Sequence, residues 1–463
     1  MTTYPLEPGN AELAAMGQAT LDFVASFVAE LPNAPAIDLD GIETLVARLL
    51  QSPAETPGEF GDLLEIFRDA AGRAVETAGP RYLAYVPGGG LVTSALAEFL
   101  ARTVNRYTGV AGLAPALVAM EESVLRWLCH EFGLPSGAAG LTTTGGSLAT
   151  LTALVAARHH RLGDDFRAGS FYVTASTHHC VAKAARIAGF RPGQVRVVPT
   201  DANLRMDVAA AARLIAADRR AGLRPFLLVG TAGTTDTGAV DPLAELAELA
   251  RREELWYHVD GAYGGCFQLT ARGRARLAGI EAADSIALDP HKGFFLSYGT
   301  GILLARDAGT LRAAFADDAH YLQDLDDDRR LPDYADLGPE LTRDFRGLRL
   351  WLPFHLHGVA AFRATLDEKL DLAAAAYRTL SSEPRLELPW PPELSIVAFR
   401  LPAGDEANQA LLERINATKR LFLSSTRIED RFFLRLCILS HRVHAEHVEE
   451  AIEVIRQTVL SPE

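Results

Sequence analysis

From about residue 140, the sequence alternates short runs rich in β-forming residues with longer runs of helical periodicity. Strands that alternate with helices predict an α/β layer built on a mostly parallel sheet. This pattern constrains the fold most, because ligands bind such sheets at the carboxyl ends of the strands. The predicted strands are residues 171–175, 195–198, 225–231, 256–259, 285–288 and 301–304, and the predicted helices are residues 148–161, 181–188, 208–221 and 242–252.

The regions on either side of this alternation have different patterns. Near the N-terminus, apolar residues recur every three to four positions from Leu13 to Leu31, which indicates a helix. We predict an N-terminal helical arm over residues 1–75, a large domain over 76–350 and a small C-terminal α+β domain over 351–463. The other predicted elements are helices at 42–50, 63–67, 347–379, 406–419 and 445–458, and strands at 386–388, 394–400, 421–424 and 432–440.

Charge and composition argue against several kinds of partner. The net charge of −14 disfavours a nucleic-acid surface, and we find no apolar run long enough to span a bilayer. Glu12 and Asp22 interrupt the first apolar stretch, which also lacks the basic start of a signal peptide. The four cysteines show neither Cys-x-x-Cys nor zinc-site spacing. We therefore expect a cytoplasmic protein with reduced thiols, no metal site, and no nucleic-acid or membrane partner.

Two candidate functional residues follow neighbouring predicted strands. Asp260 comes directly after residues 256–259, and a carboxylate there needs a partner such as a protonated ring nitrogen to stay ionised. The alternative is that Asp260 only caps the next turn. Lys292 follows residues 285–288 and is one of four lysines in the sequence. In a closed cleft its amine would have a lowered pKa and form a Schiff base, whereas the alternative is a surface lysine in a turn.

Two further features precede these residues in the chain. Thr144-Gly145-Gly146-Ser147 opens the predicted helix 148–161, and the free N–H groups of a helix start attract phosphate. The alternative is an ordinary serine N-cap. His178, after the strand at 171–175, can stack on an aromatic ring, whereas we expect a structural role for His179. Together the four features predict a phosphate cradle, a stacking ring, a carboxylate for a pyridine nitrogen and a Schiff-base lysine.

More motifs extend this pattern along the chain, from about residue 10 to residue 460. The matching segments are residues 81–87, 115–116, 144–147, 178, 233–235, 258–265, 289–292, 321–322, 343–348 and 434–443. With these motifs the sequence resembles the group II pyridoxal-phosphate-dependent amino-acid decarboxylases, which include aromatic-L-amino-acid, histidine and glutamate decarboxylases. The His-Val-Asp and Pro-His-Lys elements are the most specific part of the resemblance.

The resemblance implies a fold type I PLP-dependent transferase-like architecture, in a homodimer whose active sites lie at the interface. It implies pyridoxal 5′-phosphate as the cofactor, with Lys292 as the residue that forms the Schiff base. Tyr321 matches the tyrosine of the family's catalytic loop and would return a proton to Cα. The other implied site residues are Asp260 at the pyridine nitrogen, His178 on the ring, Thr234 near the ring, Gly146, Ser147 and Asp289 near the phosphate, Ala262 and His291 also at the cofactor, and Tyr85 and Pro87 at the substrate.

Four positions depart from the family pattern. Gly293 stands where animal members usually have tryptophan. Asp289 replaces the asparagine of many members, and a phosphate would repel its carboxylate unless the carboxylate turned away. Val86 and Thr77 stand where members with aromatic substrates often carry aromatic side chains, so these two positions do not favour an aromatic substrate.

These residues predict a carboxy-lyase that converts an L-amino acid, with aromatic amino acids among the candidates, to its amine and carbon dioxide. Two alternatives keep the cofactor: an oxidative aldehyde synthase, and a carbon–sulfur lyase such as a cysteine desulfurase. Tyr321 favours decarboxylation over the synthase, and no cysteine lies near Tyr321 in the sequence to act as a desulfurase nucleophile. A third alternative is a non-catalytic protein that binds pyridoxal phosphate, which the presence of Tyr321 beside Lys292 disfavours.

Overall fold

A seven-stranded sheet forms the centre of the computed structural model, which describes residues 6–317 and 330–460. The strand order is β1-β7-β6-β5-β4-β2-β3. β7 is antiparallel to both of its neighbours and the remaining pairs are parallel, which confirms the predicted mostly parallel sheet. β1 is not among the predicted strands, because its alanine and glycine have low strand propensity. The strands are β1 (Ala139–Thr143), β2 (Gly169–Thr174), β3 (Val195–Val198), β4 (Arg224–Thr231), β5 (Trp256–Asp260), β6 (Ser285–Leu288) and β7 (Gly301–Ala305).

A group of helices precedes the sheet in the chain. The predicted helices at residues 42–50 and 63–67 are confirmed, the second as part of a longer helix. No residue of the first helix, all of which the structure describes, is buried in this single chain. These helices are α1 (Asn10–Glu30), α2 (Ile42–Leu49), α3 (Phe60–Gly72), α4 (Val92–Val104) and α5 (Pro115–Glu131).

The central strands are buried on both faces. In β4, Phe226 to Val229 are each at most 2% exposed, and such a continuous apolar run is typical of a parallel strand covered by helices. The first covering helix presents buried alanines such as Ala153 and Ala157 to the sheet, which allows close packing. The helices that follow the strands are α6 (Gly146–Leu162), α7 (Cys180–Ile187), α8 (Val208–Arg220), α9 (Leu243–Arg252), α10 (Ala271–Arg276), α11 (Pro290–Gly293) and α12 (Ala308–Phe315).

The C-terminal part forms a second, three-stranded sheet with its own buried cluster. Its order is β8-β10-β9 and both pairs are antiparallel. Across the two described parts of the chain, no helix is both long and apolar enough to cross a bilayer. The elements are α13 (Gly347–His357), α14 (Val359–Ser381), β8 (Ile396–Phe399), α15 (Asp405–Ala417), β9 (Ser424–Ile428), β10 (Arg431–Cys437) and α16 (Ala445–Leu460).

Three predictions for this C-terminal part are wrong in detail. The single helix predicted at 347–379 is two helices, because Gly358 takes a φ of 72° that ends α13, whereas Pro353 is accommodated inside that helix. The strand predicted at 386–388 is reduced to one isolated bridge. The strand predicted at 421–424 begins only at its last residue, and continues to Ile428.

Candidate functional site

The predicted functional residues meet at one edge of the large sheet, where its parallel strands end. β5 ends at Asp260, β6 is followed by α11 with Lys292, and β4 leads into the loop of Thr234. β1 runs in the same direction as β6, so α6 also starts at this edge, at Gly146. His178 follows β2 at the same edge. The position is the one at which open α/β sheets bind ligands.

Lys292 contacts one carboxylate and is influenced by the charge of a second. Its Nζ is 2.8 Å from Oδ2 of Asp289, and its side chain is 23% exposed. Burial acts to lower the pKa of this amine, but the negative charges of Asp289 and Asp260 outweigh burial and raise the pKa. The expected lowering of the amine pKa is therefore wrong, because neighbouring carboxylates stabilise the ammonium form.

Asp260 is 5% exposed and caps the turn that follows its own strand. Its Oδ1 accepts a hydrogen bond of 3.1 Å from the backbone N–H of Ala262. One such bond does not use the whole group, because the two oxygens of a carboxylate offer about four acceptor positions. Asp260 can therefore cap its turn and also face a protonated ring nitrogen, so the two interpretations of this residue are compatible.

His178 presents a neutral ring at this edge. Burial lowers the pKa of His178, although the nearby charge of Asp260 opposes that effect. Its Nδ1 accepts a 3.3 Å hydrogen bond from the backbone N–H of Cys180, which requires an unprotonated nitrogen. The ring centroids of His178 and His179 are 4.2 Å apart, and His179 is exposed. A flat, neutral imidazole in this place is suited to stack on another aromatic ring.

The turn between β1 and α6 has an exposed rim and a buried base. Thr144 and Ser147 are exposed, and Gly146 is buried. Gly146 is the first residue of α6, so its N–H points out of the helix end, where the helix dipole favours an anion. The carboxylate of Asp289 accepts a hydrogen bond from this N–H. The turn therefore holds a carboxylate of the protein itself, and its predicted contact with a phosphate stays a prediction.

Thr234 and His291 direct their polar atoms toward their own loops. Oγ1 of Thr234 is 3.3 Å from Oγ1 of Thr237, and the residue is 1% exposed. Nδ1 of His291 lies 2.7 Å from the carbonyl oxygen of Thr300 and 3.8 Å from Oδ1 of Asp289. Both residues hold the loops that carry the site, and their predicted contacts with the cofactor stay predictions.

The predicted substrate residues Tyr85 and Pro87 lie on a segment that passes against α11. Tyr85 has a φ of 53° and a side chain that is 58% exposed, and its N–H donates to Oγ of Ser424 over 3.0 Å. Pro87 is buried. The next residue, Gly88, has no room for a Cβ because the backbone of α11 fills that space. This close approach brings the segment to the loop of Lys292.

Arg435 is a residue at this edge that pattern and spacing do not single out. It is 3% exposed, and its Nη2 donates to Oγ of Ser424 over 2.9 Å. Its guanidinium group also donates to the carbonyl oxygen of Thr235, and lies 6.0 Å from the centroid of the Tyr85 ring. The available signal was an arginine inside a predicted apolar strand, because a buried charge needs partners. Tyr321 lies outside the described residues.

Close packing explains why residue 293 is glycine rather than the tryptophan of animal family members. A Cβ at this position would lie 2.5 Å from Cβ and 3.1 Å from Sγ of Cys266. Cys266 is fully buried, so its Cβ cannot move away freely. The tryptophan of animal members therefore cannot be placed here unless residue 266 and its surroundings also change, and the two positions are coupled.

Comparison with known proteins shows the family of the chain. The model of the pyridoxal-dependent decarboxylase conserved domain matches residues 46–402. The aromatic-L-amino-acid decarboxylase of Bacillus atrophaeus is 32% identical over 455 residues, which cover 96% of this chain and 95% of that protein. The phenylacetaldehyde synthase of Arabidopsis thaliana is 29% identical, with 98% and 97% covered. The crystal structure of Oryza sativa TDC with PLP and tryptamine has a TM-score of 0.93 and 28% identity, and 99% of each chain is covered.

The side chains at the sheet edge fit pyridoxal phosphate. Lys292 offers an amine, Asp260 a carboxylate for the ring nitrogen, and His178 a flat ring. The N–H of Gly146 and the exposed hydroxyl of Ser147 offer donors for the phosphate. The matched domain and the similar solved structure cover most of the chain. The chain therefore belongs to the pyridoxal-dependent decarboxylase family, as a carboxy-lyase that uses pyridoxal phosphate.

Proposed function

We propose that this carboxy-lyase removes the α-carboxyl group of an L-amino acid and releases the amine and carbon dioxide at the edge that holds Lys292 and Asp260. The observation that carries the proposal is the amine on α11 after β6 beside the buried carboxylate at the end of β5, two neighbouring strands of the sheet. When bound, pyridoxal phosphate supplies an aldehyde that reacts with amines and an electron sink for the bond that breaks.

Each described side chain has a role that follows from its position. Lys292 would hold the cofactor aldehyde, and Asp260 would keep the ring nitrogen protonated, since an opposite charge raises such a pKa by about 1–3 units. His178 would stack on the ring and orient it. Gly146 and Ser147 would bind the phosphate at the start of α6. Borohydride reduction followed by peptide mapping should place the pyridoxyl group on Lys292, and finding it on another lysine would overturn this assignment.

The substrate is proposed to be an aromatic L-amino acid. The support is the exposed ring of Tyr85 beside the Lys292 loop, together with the names of relatives that act on aromatic amino acids. A panel of the common L-amino acids, with ornithine, diaminobutyrate and dihydroxyphenylalanine, should be scored for carbon dioxide and amine. Amine from an acidic or aliphatic member alone would contradict the aromatic assignment, whereas no carbon dioxide from any member would contradict the decarboxylase proposal.

An aldehyde synthase is the second candidate, because a phenylacetaldehyde synthase is among the relatives of nearly equal identity. The two reactions differ in the step at Cα after the carboxyl group leaves, which is protonation in the decarboxylase and reaction with oxygen in the synthase. We assign Tyr321 to the return of a proton to Cα, which gives the amine. Product analysis separates the candidates, because the synthase consumes oxygen and yields aldehyde, ammonia and peroxide.

The active unit is proposed to be a homodimer with its sites at the interface. The support is the apolar surface of the N-terminal helices, where Phe67 is 56% exposed, Phe99 62% and Leu100 52% in the single chain. Leu100→Glu, on α4, should sediment as a monomer and should have low activity. Leu460→Glu, on α16, introduces the same charge at a side chain that is 55% exposed and should leave a dimer. An active wild-type monomer would contradict the proposal.

Two further assignments, the domain boundaries and the location in the cell, complete the proposal. The division into residues 1–75, 76–350 and 351–463 is supported by the separate buried cluster of the C-terminal sheet, although Leu83 from the middle part packs in that cluster. A cytoplasmic location is supported by four free, buried thiols. Limited proteolysis and cell fractionation test these two assignments.

A further inference from the structure

A carboxylate already lies in the anion-binding position at the start of α6. One oxygen of Asp289 accepts the hydrogen bond from the N–H of Gly146, and the other lies 2.8 Å from Nζ of Lys292. Asp289 is 4% exposed, so this carboxylate is held by buried contacts on two sides. Both contacts involve atoms that the proposed cofactor would need.

The first contact opposes the phosphate group. The N–H of Gly146 is one of the free donors that a helix start offers to a phosphate. A phosphate seated there would approach a second negative charge, and in a partly buried site such repulsion is weakly screened. Asparagine at residue 289 would keep the size of the side chain and remove this charge. The exposed hydroxyls of Thr144 and Ser147 leave the outer side of the turn open to the same phosphate.

We propose that Asp289 weakens binding of the cofactor's phosphate group, so that the protein retains the cofactor less tightly than it would with a neutral side chain at residue 289. The inference rests on the proposed function in one respect, namely that the ligand of this edge is a pyridoxal phosphate. Loading then requires the N–H of Gly146 to pass from the Asp289 carboxylate to the phosphate.

The test separates the phosphate from the rest of the cofactor. Pyridoxine 5′-phosphate and pyridoxine carry no aldehyde, so neither reacts with Lys292, and they differ only in the phosphate. Full-length wild type and Asp289→Asn are stripped of cofactor by dialysis and titrated with each ligand by calorimetry. We expect Asp289→Asn to bind the phosphate ester at least about tenfold more tightly, and to change pyridoxine binding by less than about threefold.

Asp307→Asn is the matched control. Asp307 caps α12 by accepting a 2.8 Å hydrogen bond from the N–H of Gly309, and it follows β7 at the opposite edge of the sheet. This variant removes one helix-capping charge and should leave both affinities unchanged. If Asp289→Asn does not fold, Asp289→Ser removes the same charge and is titrated in its place.

The outcomes distinguish this inference from the proposed function. If Asp289→Asn binds pyridoxine 5′-phosphate no more tightly than wild type does, the proposed role of Asp289 is overturned, even if wild type decarboxylates normally. An equal gain for pyridoxine also overturns it, because the effect would then not come from the phosphate. Failure of wild type to bind either the ester or pyridoxal phosphate would instead contradict the proposed function.

Discussion

Gly293→Ala tests whether the packing of α11 positions Lys292. The backbone at Gly293 is helical, so its conformation does not require glycine. The added Cβ would meet Cβ of Cys266 at 2.5 Å, and that atom is anchored to the backbone rather than at the end of a flexible chain. Overpacking of this kind costs about 1–3 kcal/mol. Replacing glycine also restricts the unfolded chain and stabilises by about 0.4–1 kcal/mol. At the midpoints of the two ranges the overpacking cost is larger by about 1.3 kcal/mol, so we expect a net loss of about that size.

The relief of this strain should move α11 and therefore Lys292. The 2.8 Å contact between Lys292 and Asp289 would lengthen, and less pyridoxal phosphate would remain bound after dialysis. Stability is measured by urea unfolding of the full chain, and cofactor content by visible absorbance. Gly137→Ala is the control, because a Cβ at that exposed turn residue would meet nothing within 4 Å.

A double-mutant cycle with Cys266 assigns the cause. Cys266→Ala keeps the clashing Cβ and should not rescue Gly293→Ala, whereas Cys266→Gly removes that atom and should recover much of the loss. An unfolding midpoint of Gly293→Ala equal to wild type would refute the packing argument. Equal rescue by alanine and glycine at residue 266 would refute the assignment to Cβ.

Three further predictions concern the site and the core. Asp260→Ala should keep part of its pyridoxal phosphate but lose turnover by roughly ten- to a thousandfold, as a pyridinium pKa falls by about 1–3 units without its carboxylate; near-normal turnover would leave Asp260 as a cap only. Tyr321→Phe should still release carbon dioxide but shift the product from amine toward aldehyde, ammonia and peroxide when oxygen is present. Unchanged amine formation would contradict the assignment of Tyr321 to proton return. Burial lowers the pKa of His258 to about 4, so the unfolded chain takes up the proton more readily than the folded chain. The free energy of unfolding should therefore fall by up to about 3 kcal/mol as the pH drops from about 6.5 to 4. If the free energy of unfolding of His258→Gln in urea depended on pH as steeply as that of wild type, this prediction would be contradicted.

The fold was predictable where the strand residues leave a local signal. The predicted strands at 195–198 and 285–288 have the same bounds in the structure. All residues of 285–288 are buried, as in a strand covered on both faces, whereas in the edge strand at 195–198 only Val198 is buried and the signal is the strand propensity of its valines. β1 left no such signal, since its place in the sheet depends on pairing with β7, more than 150 positions later in the chain. Elements whose stability comes from distant partners cannot be found from local pattern alone.

Sequence patterns predicted which residues approach one edge of the large sheet, but they did not predict the contacts of those residues. Asp260, His178 and Lys292 follow strands, so their convergence follows from parallel connections. The direction of the Lys292 pKa shift did not follow, because it depends on the orientation of the Asp289 carboxylate. Arg435 belongs to the other sheet, and its bond to the Thr235 carbonyl joins two distant parts of the sequence.

Three glycines let other parts of the chain pack closely against the loop of Lys292. Gly88 lies against the carbonyl oxygen of His291, Gly293 lies against Cys266, and Gly146 lies against the carboxylate of Asp289. At each contact a backbone, rather than a side chain, packs next to the loop of Lys292. The space that a Cβ would take is already filled at Gly88 and Gly293, and it is tight at Gly146. A methyl group at residue 88 or 293 would therefore move this loop, and one at residue 146 would press on the Asp289 carboxylate, so we infer that these glycines help to set the position of Lys292.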